Sequence, residues 1–303
     1  MWKMWKMFES WWWNTPNTVE NKPQLLDKPW RPVKWDTGTK DKLKQSVQNY
    51  VPTKHSVPEA RILLVGAIGA GKSSFFNSIN SVFRGNITGQ ARAGLKPVSQ
   101  TTKYRTYQVK AGRDGQPMAF LLCDTMGVEH AEYGGLVIED IDSILKGHIQ
   151  DKYTFNPRSP WKPVDSQAKY QLPLSERIHC VVIVMDTNKL KIVPDATWVK
   201  LRNIQHKVES YDVPLLVLLT QVDKACPHVE KDIRDVYHSC YIQELINKVA
   251  DRLGIPVSQV LPVKNYSHEI ELDTCCDVLL LTAMQQMLNF ADNYFDNFNN
   301  GTE

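Results

Sequence analysis

The run from Gly66 to Ser73 constrains this chain more than any other stretch. It reads Gly66, Ala67, Ile68, Gly69, Ala70, Gly71, Lys72, Ser73 and matches G-x-x-x-x-G-K-[ST]. In that pattern glycines let the backbone curl so that successive N–H groups face one anion. The lysine reaches phosphate oxygens and the following hydroxyl ligates a divalent cation. A helix starting here adds the positive end of its dipole. The flanks agree: Arg61–Val65 is a short apolar run that reads as a buried strand, and Phe75, Phe76 and Ile79 follow at helical spacing. Strand, glycine loop and helix are the context that the motif needs. The amides of residues 66–71, Lys72, Ser73 and Ser74 are therefore the expected phosphate cradle, with Ser73 on Mg²⁺.

The rest of the body alternates. Strands are expected at 104–110, 118–123, 178–185, 213–220 and 257–263. Helices are expected from the loop to about Phe83 and over 135–149, 195–209, 229–253 and 277–296. Residues 111–115 have hairpin-turn chemistry, and 152–176 read as a surface insertion. The sum is an α/β fold of the P-loop NTPase kind, a mostly parallel sheet with helices on both faces, over residues 59–296. Ligands in such sheets bind at the carboxyl ends of the strands.

Those ends carry further candidates. The third strand runs into Asp124-Thr-Met-Gly127, where Asp124 suits Mg²⁺ held through water and the Gly127 N–H suits a γ-phosphate. Ahead of the second strand, Thr101 and Thr102 compete to complete the Mg²⁺ shell. The fifth strand ends Thr220-Gln221-Val-Asp223. An aspartate there accepts from the N1–H and 2-amino group of guanine, a donor pair that adenine lacks. The plainer role for Asp223 is a helix cap. Asn265, after the sixth strand, is the candidate for a base or ribose contact. The expected ligands are GTP or GDP with Mg²⁺. No catalytic residue is assigned. The step after D-x-x-G holds Val128 where many GTPases place a water-orienting glutamine, so slow or absent turnover is expected. An arginine in trans or a nucleotide-dependent dimer would then complete the site. A scaffold that keeps the fold without the ligand is the alternative.

Residues 1–58 look different. Seven of the nine tryptophans fall in the first 35 residues, and prolines interrupt the stretch throughout. An irregular, flexible arm is expected, with a short tail at 297–303. Residues 1–55 carry ten Lys/Arg against five Asp/Glu, whereas the remaining 248 carry 26 against 28. The body is thus no nucleic-acid binder on charge grounds. Mixed Trp and Lys over residues 1–8 is the composition of a weak membrane-interface contact; an arm docked on the body or on a protein partner is the plainer account. Six scattered cysteines without C-x-x-C, and no apolar signal-like opening, fit a reduced cytoplasmic compartment.

With these residues in view the chain resembles the interferon-induced protein 44 and 44-like family. The resemblance is carried by 64–78, Cys123–Gly127, Ile144–Gly147, Arg177–Val181, Leu219–Asp223, Leu253–Pro256 and Asn265-Tyr266, and it covers about residues 58–295. It implies a cytosolic, interferon-responsive protein of antiviral defence with a GTP-binding domain. Longer relatives carry an additional N-terminal domain. Where the family reads T-K-x-D, this chain has Gln221. The T-x-x-D form is also similar to the dynamin-like group.

Overall fold

The computed structural model describes residues 24–91, 102–129, 135–162 and 172–299. The expectations for residues 1–23, for Thr101 and for most of the C-terminal tail lie outside them. Six strands form one sheet: β1 (Ala60–Gly66), β2 (Arg105–Lys110), β3 (Pro117–Asp124), β4 (Cys180–Asp186), β5 (Leu215–Thr220) and β6 (Val260–Pro262). Their order is β2-β3-β1-β4-β5-β6. Only β2 runs antiparallel, to β3; the other four pairings are parallel. β4 and β5 are buried at every residue, as their unbroken apolar runs require of strands covered on both faces. The chain fills one side of β1 with β3 and β2, then crosses to the other side for β4. The point of reversal therefore falls between β1 and β4, at the carboxyl end of β1, where the glycine loop begins.

Helices flank the sheet on both faces. The main ones are α1 (Thr37–Gln48), α2 (Lys72–Arg84), α3 (Ile138–Leu145), α4 (Asp195–Glu209), α5 (Cys240–Leu253) and α6 (Thr274–Asn299). α2 and α6 pack on each other and on β1, while α4 lies between α3 and α5. The single long helix expected over 229–253 is a correction. Two short turns precede α5, because Asp232 takes an extended conformation and caps the Arg234 N–H. α5 then starts afresh at Ser239, whose hydroxyl accepts from the Ile242 N–H. β6 is likewise shorter than expected, since residues 257–259 form a 3₁₀ turn.

The larger difference lies before β1. Residues 24–58 are not a loose arm. α1 packs along α6, capped by Asp36, which accepts from the Thr39 N–H at 2.6 Å. Lys44 Nζ donates to the Val82 carbonyl at 2.8 Å, and Tyr50 OH to Asp292 Oδ1 at 2.8 Å. Ahead of α1 the chain lies across residues 237–240 like a short strand: the Leu26 N–H donates to His238 O at 2.7 Å and the Trp30 N–H to Tyr237 O at 3.0 Å. The buried Tyr237 ring takes the edge of Trp30 at 5.0 Å and stacks with Trp35 at 6.0 Å. Arg31 covers the Trp30 and Tyr237 rings and donates to the Val257 and Val260 carbonyls. Two of the seven N-terminal tryptophans are thus parts of the body's own packing.

One buried histidine ties the sheet to α6. His179 Nδ1 accepts from the Arg61 N–H at 2.9 Å, and Nε2, which carries the proton, lies 2.8 Å from Leu174 O. Its ring meets Phe295 at 4.7 Å.

Two tests follow from this packing. Tyr237→Ala removes the platform for Trp30, Trp35 and Arg31, and the expected loss is about 3 kcal/mol, read from urea unfolding. Burial pushes His179 down from 6.5 to about 4, so the folded chain holds it neutral while the unfolded chain takes up a proton first. The stability this confers is complete above pH 6.5 and drains away as the pH falls toward 4, by up to about 3 kcal/mol. His179→Phe should flatten that part of the pH profile of the urea midpoint.

Candidate functional site

The glycine loop leaves β1 at Gly66 and closes at Gly71, the left-handed cap of α2. Gly66 has no alternative. A Cβ there would lie 2.1 Å from the Val184 carbonyl of β4, so any side chain would force the two central strands apart. Lys72, at the first turn of α2, folds back into the loop. Its Nζ donates to Gly66 O at 3.0 Å and to Ala67 O at 3.2 Å, and the side chain is 7% exposed. Burial pushes its pKa down, while the carboxylate of Asp124 pulls the other way. Ser73 Oγ donates to Asp124 Oδ2 at 2.5 Å, and Asp124 is wholly buried. The structure thus brings Lys72, Ser73 and Asp124 together, as the two motifs require.

The D-x-x-G segment also docks on the loop. The Val128 N–H donates to Gly66 O at 3.0 Å, and Val128 forms a parallel bridge with Ala67. Gly127 lies against Ile68: a Cβ on Gly127 would come within 2.6 Å of Ile68 Cγ1 and 3.0 Å of the Ile68 amide nitrogen. The side chain of Val128 is buried. Thr125, which the motif reading passed over as filler, donates its hydroxyl to Leu64 O at 2.9 Å and fixes where β3 ends beside β1. Nothing in a D-x-x-G pattern marks that threonine, because its partner is a backbone carbonyl.

The expected base-side residues come to the same end of the sheet. Thr220 is buried, and its Oγ1 donates to Ala70 O at 2.7 Å and to Met185 O at 3.3 Å. It therefore pins β5 to the glycine loop, and its hydroxyl is committed. Gln221 sits in left-handed backbone with φ 58° and accepts from Lys224 Nζ at 3.2 Å. Asp223 is half-buried in the turn that follows; Lys264 nearby is held above its ordinary pKa against the effect of burial, chiefly by its bond to Glu269 at 2.9 Å, with Asp223 a smaller contributor. Asn265 Nδ2 donates to Gly71 O at 3.2 Å. Its Oδ1 is buried with no protein partner among the described residues. An orphaned acceptor at this place fits a site whose last polar partner is a ligand. Thr102, by contrast, is exposed, and its carbonyl accepts from the Phe155 N–H at 3.0 Å, away from the loop. The structure does not bring it to Ser73. Among the described residues no cluster of His, Cys, Asp and Glu could hold a metal by itself. The Ser73–Asp124 pair fits Mg²⁺, a hard cation that takes few protein oxygens and shares its shell with phosphate and water.

The family model described as 50S ribosome-binding GTPase matches residues 61–248. This chain belongs to that GTPase family. The expected kinship with the interferon-induced protein 44 and 44-like proteins also holds. The human interferon-induced protein 44-like is 40% identical over 257 residues, 85% of this chain and 57% of the relative. The human interferon-induced protein 44 is 37% identical over 266 residues, 88% of this chain and 60% of the relative. The chain therefore spans less than two thirds of the length of these curated relatives. A solved structure of Aquifex aeolicus Era bound to GDP·AlF4⁻ matches at a TM-score of 0.40 and 11% identity, covering 77% of this chain and 57% of that one.

Gly66→Ala tests the loop's seat. The clash with Val184 O should cost on the order of 2–4 kcal/mol of unfolding free energy, measured in urea, because backbone rather than a movable side chain stands in the way.

Proposed function

We propose that this chain is a guanine-nucleotide-binding protein of the interferon-induced response, loading GTP or GDP with Mg²⁺ and turning GTP over slowly or not at all. The observation that carries the reading is Lys72 folded inside a loop of backbone, with Ser73 bonded to Asp124 beneath it. In this reading the loop amides and those of Ser73 and Ser74 hold the phosphates. Lys72 trades its two carbonyls for phosphate oxygens, and the Gly127 N–H meets the terminal phosphate. Ser73 and Asp124 hold Mg²⁺, directly and through water, and Thr101 is the candidate left to join from the loop ahead of β2. Mg²⁺ there neutralises phosphate charge and fixes the orientation of the triphosphate. Asp223 selects guanine over adenine, Gln221 lays its short stem along the base, and Asn265 supplies its unpaired acceptor.

Slow turnover follows from what stands beside Gly127. Val128 offers no carboxamide to orient water, and its side chain is packed into the body while its N–H is spent on Gly66 O. Ile68 occupies the space over Gly127. Faster hydrolysis then needs a group from outside, such as an arginine from a second copy or another protein. A cytosolic location and a part in antiviral defence belong to the same proposal; the names of the relatives speak to induction by interferon alone.

Titration of labelled GTP, GDP and ATP with and without Mg²⁺ tests the reading. Both guanine nucleotides should bind and ATP should not. Lys72→Ala should weaken binding by roughly a hundredfold or more, from the loss of charge-assisted bonds in a buried site. Unaided turnover on the order of 10⁻⁴ s⁻¹ or slower is expected. Brisk turnover by the chain alone would overturn the hydrolysis claim. Equal behaviour of Lys72→Ala and the unaltered chain would favour the nucleotide-independent scaffold.

A further inference from the structure

A second lysine overhangs the loop from outside. β4 ends at Asp186, whose carboxylate is buried and caps the 3₁₀ turn Thr187–Ile192 by accepting from the Asn188 N–H at 3.1 Å. Lys189 projects from that turn. Its Nζ lies 3.1 Å from Asp186 Oδ2 and 3.9 Å from the point where Gly69 would carry a Cβ. Its side chain is 53% exposed. Lys72 lies within the loop; Lys189 stands at its lip.

We propose that Lys189 is a second phosphate-binding residue, which leaves Asp186 and closes on the phosphate oxygens of a nucleotide held at residues 66–73. The inference rests on the nucleotide-binding reading above and adds a residue to it. Three observations carry it. The first is position: of the two lysines on this turn, Lys191 packs over the Tyr241 ring at 4.7 Å, whereas Lys189 is directed at the glycine loop. The second is readiness. An ion pair half in water holds a lysine loosely, and a lysine's long stem lets the ammonium move a few ångströms without backbone change. The third is what is left behind. When Lys189 departs, Asp186 keeps its bond to the Asn188 N–H, so the buried carboxylate is not stripped of every partner. A polyphosphate brings more negative charge than one lysine balances. A cation already waiting at the lip is the complement that such a ligand needs.

Affinity of the full chain for GDP and for a non-hydrolysed GTP analogue, both with Mg²⁺, tests this. Lys189→Gln should weaken both on the order of tenfold and flatten the salt dependence of binding, with no change in the melting temperature of the nucleotide-free chain. Lys189→Arg keeps the charge and should keep most of the affinity. Lys191→Gln removes the same charge from the same turn and should bind as the unaltered chain does. Unchanged affinity in Lys189→Gln overturns the inference, as does an equal loss in Lys191→Gln, which would mark a general charge effect. If Lys72→Ala loses binding while Lys189→Gln does not, the nucleotide site stands and only the second lysine falls. No binding by the unaltered chain would remove both.

Discussion

A buried ammonium held by backbone carbonyls is the constraint on which this end of the molecule depends. An uncompensated charge in the interior costs several kcal/mol, and Lys72 offsets that cost with two carbonyls and a nearby carboxylate. The carbonyls of Gly66 and Ala67 point inward only because the chain leaves β1 in contact with β4, an approach that no residue larger than glycine permits. Sheet packing therefore sets the shape of the loop, the loop sets the place of the lysine, and the lysine keeps the loop from filling with side chains. A cation so placed is poised for exchange, since an anionic ligand can replace its weak neutral acceptors with stronger charged ones.

The D-x-x-G segment is coupled to the same carbonyl. Gly66 O receives both Lys72 Nζ and the Val128 N–H, so the phosphate loop and the segment after β3 share one acceptor. Movement of the lysine toward a ligand would leave Gly66 O to the Val128 N–H alone, and displacement of Val128 would leave it to the lysine. Ile68 packed against Gly127 adds a steric link between the same two segments. The two motifs are thus one mechanical unit, joined through main-chain bonds that a sequence pattern does not encode.

That distinction explains what could be read from the chain. Continuous apolar runs and the spacing of glycines reported the sheet and its loop, because both impose their own composition. The runs at 178–185 and 213–220 are buried along their length, as strands covered on two faces must be. α1 left no such trace. Its sequence is polar around nearly its whole circumference, Val47 is its one fully buried residue, and its place is set by Lys44 and by contacts with α6, more than 200 residues away. Trp30 and Trp35 dock on the body, the plainer of the two environments expected for the N-terminal tryptophans; their composition named the packing, but not Tyr237 and Arg31 as its partners, because those contacts are set by the fold. The break at Asp232 was missed because an apolar period continues through it while a local side-chain cap ends the helix. At the site, side chains defined by their own chemistry were legible, and side chains whose partners are carbonyls, such as Thr125, were not.

The ends of the glycine loop show why its two sides act together. Ala70 O accepts from Thr220 of β5, and Gly71 O accepts from Asn265 after β6. One residue on, the Tyr266 N–H donates to Ser78 Oγ on α2, the helix that carries Lys72 and Ser73. The β5 and β6 ends, which bear the candidate base contacts, are therefore fixed to the start of the helix that bears the candidate phosphate contacts. A shift at either side has to be carried through three bonds to buried or half-buried groups before the other side can stay still. Replacing a lysine by Gln221 leaves this frame untouched, because none of the three bonds passes through residue 221. The substitution can alter how tightly a base is covered, but the distance between the base side and the phosphate side is set by Thr220, Asn265 and Ser78.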